Sequence, residues 1–431
     1  MNRTAIQTLE AWKDAPGRKP LIIRGARQVG KTWLMREFGR THYERVAYVN
    51  LDGNTRLQRL FETDLHPARI LEALQLECGC KIEPRSTLVI FDEVQEVPRA
   101  LTSLKYFCEE TPDYHIVAAG SMLGVALHPG TSFPVGKVDF LDLHPLTFEE
   151  FLRAIGKAEH LELLRKQDWP TIAAFKDQFV AMLRQYYLIG GMPEVVAAFA
   201  ARADYAEARQ IQNRILAAYE QDFSKHAPNA TVPRIRLIWQ SIPAQLAREN
   251  RKFVYGAVKS GARAREYELA LAWLSDCGLV CKVNRISKPG LPAAAYEDFG
   301  AFKLFLLDVG LLAALSGLDA RAILDGDRIF TEFKGSLTEQ YVLQQLRSRP
   351  DTAVYYWSSD VGTAEVDFVV QTAGRMAPIE VKAGENLQAK SLKVYREKFA
   401  PKMCFRLSLS DHRQESWIRN VPLYAIPAIA F

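Results

Sequence analysis

Short apolar runs alternate with amphipathic helical patterns along the first third of the chain. The run at 21–23 precedes a glycine-containing loop, and four further runs follow at intervals that leave room for helices. Buried strands that alternate with helices are typical of a parallel α/β sheet. The pattern therefore predicts five parallel strands, at 21–23, 46–51, 87–93, 115–121 and 138–143.

The pattern changes twice beyond residue 145. Helical periodicity dominates from 151 to 226 and predicts a small helical lid. Helices at 234–248 and 264–277, with a short strand at 252–254 between them, then precede a hairpin, which is the order of a winged helix. Strands return near the end, together with a helix at 389–399. We therefore expect an α/β protein of four domains, with bounds at 1–155, 156–228, 229–322 and 323–431.

The loop after the first predicted strand carries the clearest chemistry. Residues 25–32 match the phosphate-binding pattern G-x-x-x-x-G-K-[ST] between a strand and a helix. Glycines let backbone N–H groups approach phosphate oxygens, the lysine supplies a charge, and the hydroxyl is a ligand for Mg²⁺. The sequence thus predicts ATP and Mg²⁺ as cofactors. The predicted nucleotide contacts are Gly25, Arg27, Gln28, Val29, Gly30, Lys31, Thr32 and Trp33.

Two carboxylates end the predicted strand at 87–93. We expect Asp92 to complete the Mg²⁺ shell with Thr32, and Glu93 to polarise the water that attacks the phosphoanhydride. The alternative is a helix N-cap followed by a first-turn acid. Their position about sixty residues after the phosphate loop favours the catalytic interpretation.

Several motifs together resemble a family of prokaryotic AAA-type ATPases with an uncharacterised carboxy-terminal region. Besides the phosphate loop, the motifs are Phe91-Asp92-Glu93-Val94-Gln95, Ala119-Gly120-Ser121, Leu143-His144-Pro145-Leu146-Thr147-Phe148-Glu149-Glu150 and Gly190-Gly191-Met192-Pro193. The resemblance implies ATP hydrolysis, a nucleic-acid link, and contact of Ser121 with the γ-phosphate or the lytic water. An arginine finger would come from the lid or from a neighbouring subunit of a homo-oligomer. Its candidates are Arg153, Arg184, Arg209 and Arg214.

The predicted winged helix is basic. Residues 230–303 contain 12 Lys or Arg against 6 Asp or Glu, an excess larger than the whole-chain charge of +5. Such groups neutralise phosphates and make DNA binding salt-dependent. The alternative is a protein-docking module with a solvated basic face. The candidate phosphate contacts are Arg248, Arg251, Lys252, Lys259, Arg263, Arg265 and Lys288.

The last hundred residues carry a second constellation. Asp367, the pair Glu380-x-Lys382, and Glu339 on a preceding helix resemble the PD-(D/E)xK nuclease-like fold, although no proline precedes Asp367. The resemblance implies Mg²⁺ ligation by Asp367, Glu380 and Glu339, with Lys382 orienting water or neutralising charge. A solvated ladder of ion pairs on adjacent strands is the alternative.

The amino-acid composition limits which classes of protein remain possible. The chain of 431 residues has 48% hydrophobic and 24% charged residues, and its six cysteines lack zinc-like spacing. The start of the chain has no apolar signal region, and Asp308 interrupts the longest apolar stretch. We expect a cytoplasmic, Mg²⁺-dependent ATPase that couples nucleotide state to DNA binding or cleavage, without a membrane partner. The rival is a nucleotide-gated interaction protein with an inactive nuclease-like scaffold.

Overall fold

The computed structural model describes residues 3–120, 133–248, 251–320, 324 and 331–431. The chain divides into two compact units. The amino-terminal unit is Asn2–His144 with Asp276–Gly278, and the carboxy-terminal unit is Pro145–Ser275 with Leu279–Phe431. The prediction of four domains stays a prediction.

A parallel sheet forms the centre of the amino-terminal unit. Its strands are β1 (Leu21–Arg24), β2 (Arg45–Asn50), β3 (Thr87–Asp92), β4 (His115–Ala119) and β5 (Asp139–Asp142). Their order across the sheet is β2-β3-β4-β1-β5, and every pair is parallel. Strands β3 and β4 are buried along their whole length, as expected for central parallel strands. The predicted five-stranded parallel sheet is confirmed.

A first helix precedes β1, and further helices connect the strands. They are α1 (Ala5–Asp14), α2 (Lys31–His42), α3 (Thr55–Thr63), α4 (Pro67–Cys78) and α5 (Pro98–Glu110), and a 3₁₀ turn spans Val94–Glu96. Helix α2 begins directly after the phosphate loop, and the 3₁₀ turn begins directly after Glu93. Both connections leave the carboxyl ends of parallel strands, where such sheets bind ligands.

The carboxy-terminal unit begins with helices. They are α6 (Phe148–Ala154), α7 (Ala158–Lys166), α8 (Trp169–Ala174), α9 (Lys176–Ile189), α10 (Pro193–Arg202), α11 (Tyr205–His226), α12 (Val232–Leu246), α13 (Tyr255–Val258), α14 (Ala264–Asp276), α15 (Val309–Leu315), α16 (Thr331–Arg347) and α17 (Lys390–Phe399). The helical region predicted between 151 and 226 is present as α6 to α11. None of the described helices combines the length and apolar character needed to cross a membrane.

Contacts of buried Asp308 account for two motifs from the sequence, at 143–150 and 190–193. Its carboxylate caps α15 by accepting from the backbone N–H of Leu311 at 3.0 Å, and it also accepts from Gly191 N–H at 2.6 Å. A Cβ on Gly190 would lie 2.1 Å from Asp308 Oδ1, and one on Gly191 would lie 2.1 Å from Leu146 O. No side chain fits at either position, so both must be glycine. Their small size lets the segment at Leu146 and the start of α15 pack closely against this turn. The motifs therefore have a packing role.

An eight-stranded mixed sheet completes this unit. Its strands are β6 (Val280–Ile286), β7 (Glu297–Leu306), β8 (Ala353–Ser358), β9 (Glu365–Thr372), β10 (Arg375–Val381), β11 (Cys404–Ser408), β12 (Arg413–Gln414) and β13 (Ile418–Pro422). Their order is β12-β13-β11-β10-β9-β8-β6-β7. The hairpin β6–β7 therefore continues the sheet of the terminal strands, through a parallel bridge of Arg285 to Tyr356.

The predicted winged-helix elements occur in the predicted order, as α12, α14 and the hairpin β6–β7. The prediction of a strand at 252–254 is wrong. That segment forms no described strand, and Phe253 makes a single backbone bond, from its N–H to Phe302 O at 2.7 Å. The identity of this region as a winged helix stays a prediction.

Candidate functional site

The loop between β1 and α2 adopts backbone conformations that are unfavourable for residues with a side chain. Gly25 has φ of 148°, and a Cβ there would lie 2.3 Å from Leu143 O. Gln28 and Gly30 also have positive φ, at 66° and 94°. The close approach at Gly25 makes glycine a requirement of this loop.

Lys31 is the first residue of α2, and its side chain extends back into the phosphate loop. Only 7% of the residue is exposed, and its Nζ donates to Gly25 O at 2.9 Å and to Ala26 O at 2.8 Å. Burial lowers the pKa of Lys31 to about 8, an effect that the carboxylates of Glu93 and Asp92 oppose. The ammonium is therefore charged at neutral pH and is positioned by the loop itself.

Asp92 gathers three donors at the end of β3. Its Oδ2 accepts from Thr32 Oγ1 at 2.7 Å and from Tyr48 OH at 3.0 Å, and its Oδ1 accepts from the backbone N–H of Glu93 at 3.1 Å. The structure thus brings together the two residues predicted to hold Mg²⁺. A hydroxyl beside a carboxylate is a donor set that suits this ion.

Glu93 has an unusual backbone and an oriented side chain. Its φ of 52° and ψ of 46° lie in the left-handed region, which costs free energy for a residue with a side chain. Gln95 Nε2 donates to Glu93 Oε2 at 2.6 Å, and Gln95 is almost completely buried. Strain of this kind clusters at functional sites, so the position of Glu93 fits the role of a general base.

Sequence reasoning did not assign a role to four residues that shape this site. Gln95 orients Glu93, and Tyr48 contacts Asp92 while the Arg36 guanidinium stacks over its ring at 3.8 Å. Buried Arg3 donates to Val29 O at 3.0 Å and to His144 O at 2.6 Å. Arg3 binds backbone carbonyls, which leave no sequence signal. Tyr48 was detectable only through the strand register.

The other predicted nucleotide contacts differ in their exposure to solvent. Val29 is buried, whereas Trp33 is 38% exposed, and Arg27 and Gln28 lie in the loop. Ser121, the predicted sensor, lies outside the described residues. Across the described ranges, no group of three or more His, Cys, Asp or Glu side chains forms a metal cluster.

The four candidate finger arginines are not distinguished by their contacts. Arg153 pairs with Glu149 at 2.6 Å, and Arg214 lies 3.7 Å from Glu194. Arg184 donates to Leu324 O at 3.2 Å. Burial lowers the pKa of Arg209, whose Nη2 is buried without a hydrogen bond in the described part of the chain.

A second cluster joins β9 and β10 in the carboxy-terminal unit. Lys382 Nζ lies 2.6 Å from Glu380 Oε1, and Asp367 Oδ2 accepts from Val381 N–H at 2.7 Å. Glu380 is 4% exposed, and its Oε2 accepts no hydrogen bond from the described residues. Burial raises the pKa of Glu380, as does the Asp367 carboxylate, while Lys382 and the Leu392 N–H oppose the rise. Three of the four predicted residues therefore lie together.

Glu339 belongs to a different group. It forms an ion pair with Arg251 and lies 3.7 Å from the Nζ of Lys303, which in turn lies 2.6 Å from Glu365 Oε1. Lys303 and Glu339 are buried. The structure thus places Glu339 in an ion-pair network with Arg251 and Lys303. Its metal-binding role stays a prediction, and Arg251 has Glu339 as its partner.

Family comparisons match three separate parts of the chain. Residues 17–152 match a model described as an AAA domain. Residues 180–322 and 334–426 match two domains of unknown function, DUF8612 and DUF4143. The AAA match covers the phosphate loop, Asp92 and Glu93, and it supports an AAA-type P-loop ATPase. This fold implies nucleotide binding, typically with Mg²⁺.

Whole-chain comparisons give distant relatives. The proteins named "Uncharacterized protein Mb2031c" of Mycobacterium bovis and "Uncharacterized protein Rv2008c" of Mycobacterium tuberculosis are each 23% identical over 84% of this chain and 70% of theirs. The Walker-type ATPase PABY2304 of Pyrococcus abyssi is 14% identical, covering 72% of this chain and 94% of its own, with a TM-score of 0.45. The Aeropyrum pernix ORC1 protein, solved in complex with DNA, is 15% identical, covering 72% and 90%, with a TM-score of 0.27. Scores this low assign no fold to the whole chain.

Proposed function

We propose that this chain binds ATP with Mg²⁺ and hydrolyses the bond between the β- and γ-phosphates. The observation that carries the proposal is the contact of Thr32 with Asp92 directly beside the loop that holds Lys31. These residue types, in this order around a strand-loop-helix, are those that cradle and cleave a nucleoside triphosphate.

Each residue has a role that follows from its position. The loop N–H groups and the amino terminus of α2 would bind phosphate oxygens, and Lys31 would pair with the β- and γ-phosphates. Thr32 and Asp92 would hold Mg²⁺, which supplies charge neutralisation when bound. Glu93 would draw a proton from the attacking water, while Gln95 fixes the direction of its carboxylate.

Phosphate release tests the proposal. Lys31→Ala removes the cation that faces the phosphates, so we expect turnover to fall by about 100-fold or more. Lys105→Ala on α5 is the matched control, since Lys105 is exposed, and it should keep wild-type turnover. Equal phosphate release by Lys31→Ala and wild type would contradict ATP hydrolysis at this site.

We further propose that the carboxy-terminal unit binds DNA and cleaves it with a divalent cation. The contact of Glu380 with Lys382 beside Asp367 favours this function. Asp367 and Glu380 would hold the cation, and Lys382 would neutralise charge as water attacks phosphorus and the P–O bond to the leaving oxygen breaks. Nicking of plasmid DNA in Mn²⁺ should be lost in Lys382→Ala and retained in Lys402→Ala. Equal nicking by both variants would point away from this cluster.

DNA binding is supported by exposed basic residues in the predicted winged-helix region. Arg248, Lys252, Lys259, Arg263, Arg265 and Lys288 are all exposed. If this surface couples to the ATPase, added duplex should stimulate phosphate release, and duplex affinity should fall steeply with salt. Turnover that is indifferent to DNA would favour the rival, a nucleotide-gated protein-interaction switch with an inactive nuclease-like domain.

A further inference from the structure

A cavity of about 420 Å³ lies in the amino-terminal unit, at the opposite edge of the parallel sheet from the phosphate loop. Its walls come from the end of α1, from the segment between α1 and β1, and from residues at the amino ends of β3 and β4. A cavity of this size suits a small molecule. The ionisable residues in its walls are Lys13, Asp14, Arg18, Arg85, Asp113 and His115.

His115, the first residue of β4, presents one ring nitrogen to this cavity. The residue is 5% exposed, and its Nδ1 lies 2.6 Å from the hydroxyl of Tyr43, a residue that does not line the cavity. Its Nε2 makes no hydrogen bond within the described ranges, yet this atom is not sealed from solvent. The rings of Trp12 and Tyr43 pack edge-on against the imidazole, with centroids 6.0 and 5.3 Å away. The imidazole is therefore held in one orientation, with Nε2 directed into the cavity.

The hydrogen bond with Tyr43 determines which nitrogen of His115 carries the proton. Burial lowers the pKa of His115 to about 4, and the charges of Arg18 and Lys13 act in the same direction, so the imidazole is neutral at neutral pH. The Tyr43 hydroxyl has no other acceptor in the part of the chain that the structure describes, so it donates to Nδ1. A neutral imidazole that accepts at Nδ1 carries its proton on Nε2. The cavity therefore receives an N–H donor.

Arg18 adds a guanidinium to the same cavity. The side chain is half-buried, and its Nη2 donates to Pro112 O at 2.8 Å. Burial lowers the pKa of Arg18, which means that water solvates its charge incompletely. No carboxylate lies within ion-pair distance of this guanidinium among the described residues. An anion in the cavity would therefore stabilise the Arg18 charge.

The other charges in the cavity leave a cationic balance. Lys13 Nζ donates to His42 O at 2.6 Å, which fixes the ammonium at the end of α1. Arg85 and Asp113 neutralise each other in an ion pair at 2.8 Å. Asp14 is exposed and is the one carboxylate in the described cavity wall outside that pair. Two cations and an imidazole N–H thus face one carboxylate.

We propose that this cavity binds a phosphate group, supplied by inorganic phosphate or by a phosphorylated small molecule. The N–H of His115, the guanidinium of Arg18 and the ammonium of Lys13 are all donors, and they reach the cavity from three different segments. A phosphate group offers three acceptor oxygens to such a set, whereas a carboxylate offers two. The site lies at the opposite edge of the sheet from Lys31, so it is independent of the proposed ATP site.

NMR of the full-length chain with ¹³C-labelled histidine tests the proposal. Inorganic phosphate, glucose 6-phosphate and glucose are titrated at constant pH and ionic strength. We expect the Cε1–H signal of His115, identified by its loss in His115→Gln, to shift saturably with inorganic phosphate and to stay in place with glucose. The same shift should persist in Lys31→Ala, because phosphate bound at the loop would not move a signal from the other edge of the sheet.

Variants of Arg18 identify the site. Arg18→Gln removes a charged donor, so the phosphate midpoint should rise by about tenfold or more. Arg18→Lys keeps the charge without the planar fork and should lie between Arg18→Gln and wild type. The matched control is Arg59→Gln, at an exposed position of α3, which should leave the midpoint unchanged. The remaining histidine signals report folding in each variant, and Lys13→Gln replaces Arg18→Gln if the latter is unfolded.

Each outcome supports or overturns the proposal. A lower midpoint for glucose 6-phosphate than for inorganic phosphate identifies a phosphorylated small molecule as the ligand, and the reverse order identifies the free ion. The absence of a saturable shift of the His115 signal overturns the proposal, as does an equal shift with glucose or with chloride. A phosphate midpoint that is unchanged in folded Arg18→Gln would place the anion elsewhere. None of these results bears on ATP hydrolysis, which is measured separately.

Discussion

Two lysine–carboxylate clusters in this chain differ in how deeply they bury the lysine. In the phosphate loop, Lys31 and Asp92 are both buried: Asp92 accepts three hydrogen bonds, and the pKa of Lys31 is lowered to about 8. In the terminal sheet, Glu380 is the buried member with a raised pKa, while Lys382 is half-buried at its side. The first cluster buries its cation together with its anion, whereas the second buries an anion beside a half-buried cation.

This difference indicates what each cluster is prepared to bind. In the proposed ATPase function, the buried ammonium of Lys31 would gain from an incoming phosphate, and Asp92, held by its three hydrogen bonds, would receive Mg²⁺. The buried carboxylate of Glu380 has an oxygen without a described partner, so it gains from a cation. Under the proposed functions, the loop would therefore bind an anionic ligand and the terminal cluster a cationic one.

The largest effect on this comparison should come from Gly25→Ala. The added Cβ would lie 2.3 Å from Leu143 O, so the loop must shift, at a cost on the order of 3 kcal/mol. We expect ATP affinity to fall by about 100-fold and the urea midpoint to drop. Gly17→Ala is the matched control, because its φ is also positive but its Cβ would meet no atom within 4 Å. Equal loss in both variants would show that the effect comes from φ alone.

The next largest effect should be a pH dependence of stability from Lys31. Its folded pKa of about 8 lies below the ordinary 10.5, so between these values the unfolded chain binds more protons. The free energy of unfolding should therefore rise with pH across this window, by about 3 kcal/mol in total. Lys31→Met should abolish the rise, as measured by urea denaturation at several pH values. A wild-type curve that falls from pH 8 to 10 would contradict the burial of a charged Lys31.

The smallest effect should come from Glu380. Its folded pKa is raised, so the folded chain holds the proton longer, and stability should decline as pH rises through the window that starts at the ordinary 4.5. Glu380→Gln should remove that decline, as measured by urea denaturation at several pH values. Divalent cations should protect wild type and leave the variant unchanged. A variant that keeps the decline would place the titrating group elsewhere.

The sequence was most informative where chemistry depends on contiguous residues. The loop from Gly25 to Thr32 and the strand that ends in Asp92 follow from local pattern, and the parallel sheet then brings Thr32 to Asp92. Tyr48 and Gln95 could not be assigned in the same way, because a strand register and a 3₁₀ turn place them at the site.

Long-range packing limited the sequence reading of the terminal unit. Glu339 has the right residue type on the expected helix, but buried Lys303 and Arg251 hold it in an ion-pair network. Those partners come from β7 and from the segment after α12, so no local spacing reveals them. The shared sheet of β6 to β13 has the same origin, since a single parallel bridge between distant strands creates it.

The most direct test of ATP hydrolysis is the separation of binding from turnover in Glu93→Gln. The variant keeps the size of the side chain and removes the base, whereas Lys31, Thr32 and Asp92 remain to hold nucleotide and Mg²⁺. ATP affinity and phosphate release are measured on the same preparation, with Glu72→Gln, at an exposed position of α4, as the matched control. We predict ATP affinity within about threefold of wild type and phosphate release reduced by about 100-fold or more. Unchanged phosphate release in Glu93→Gln would contradict the account.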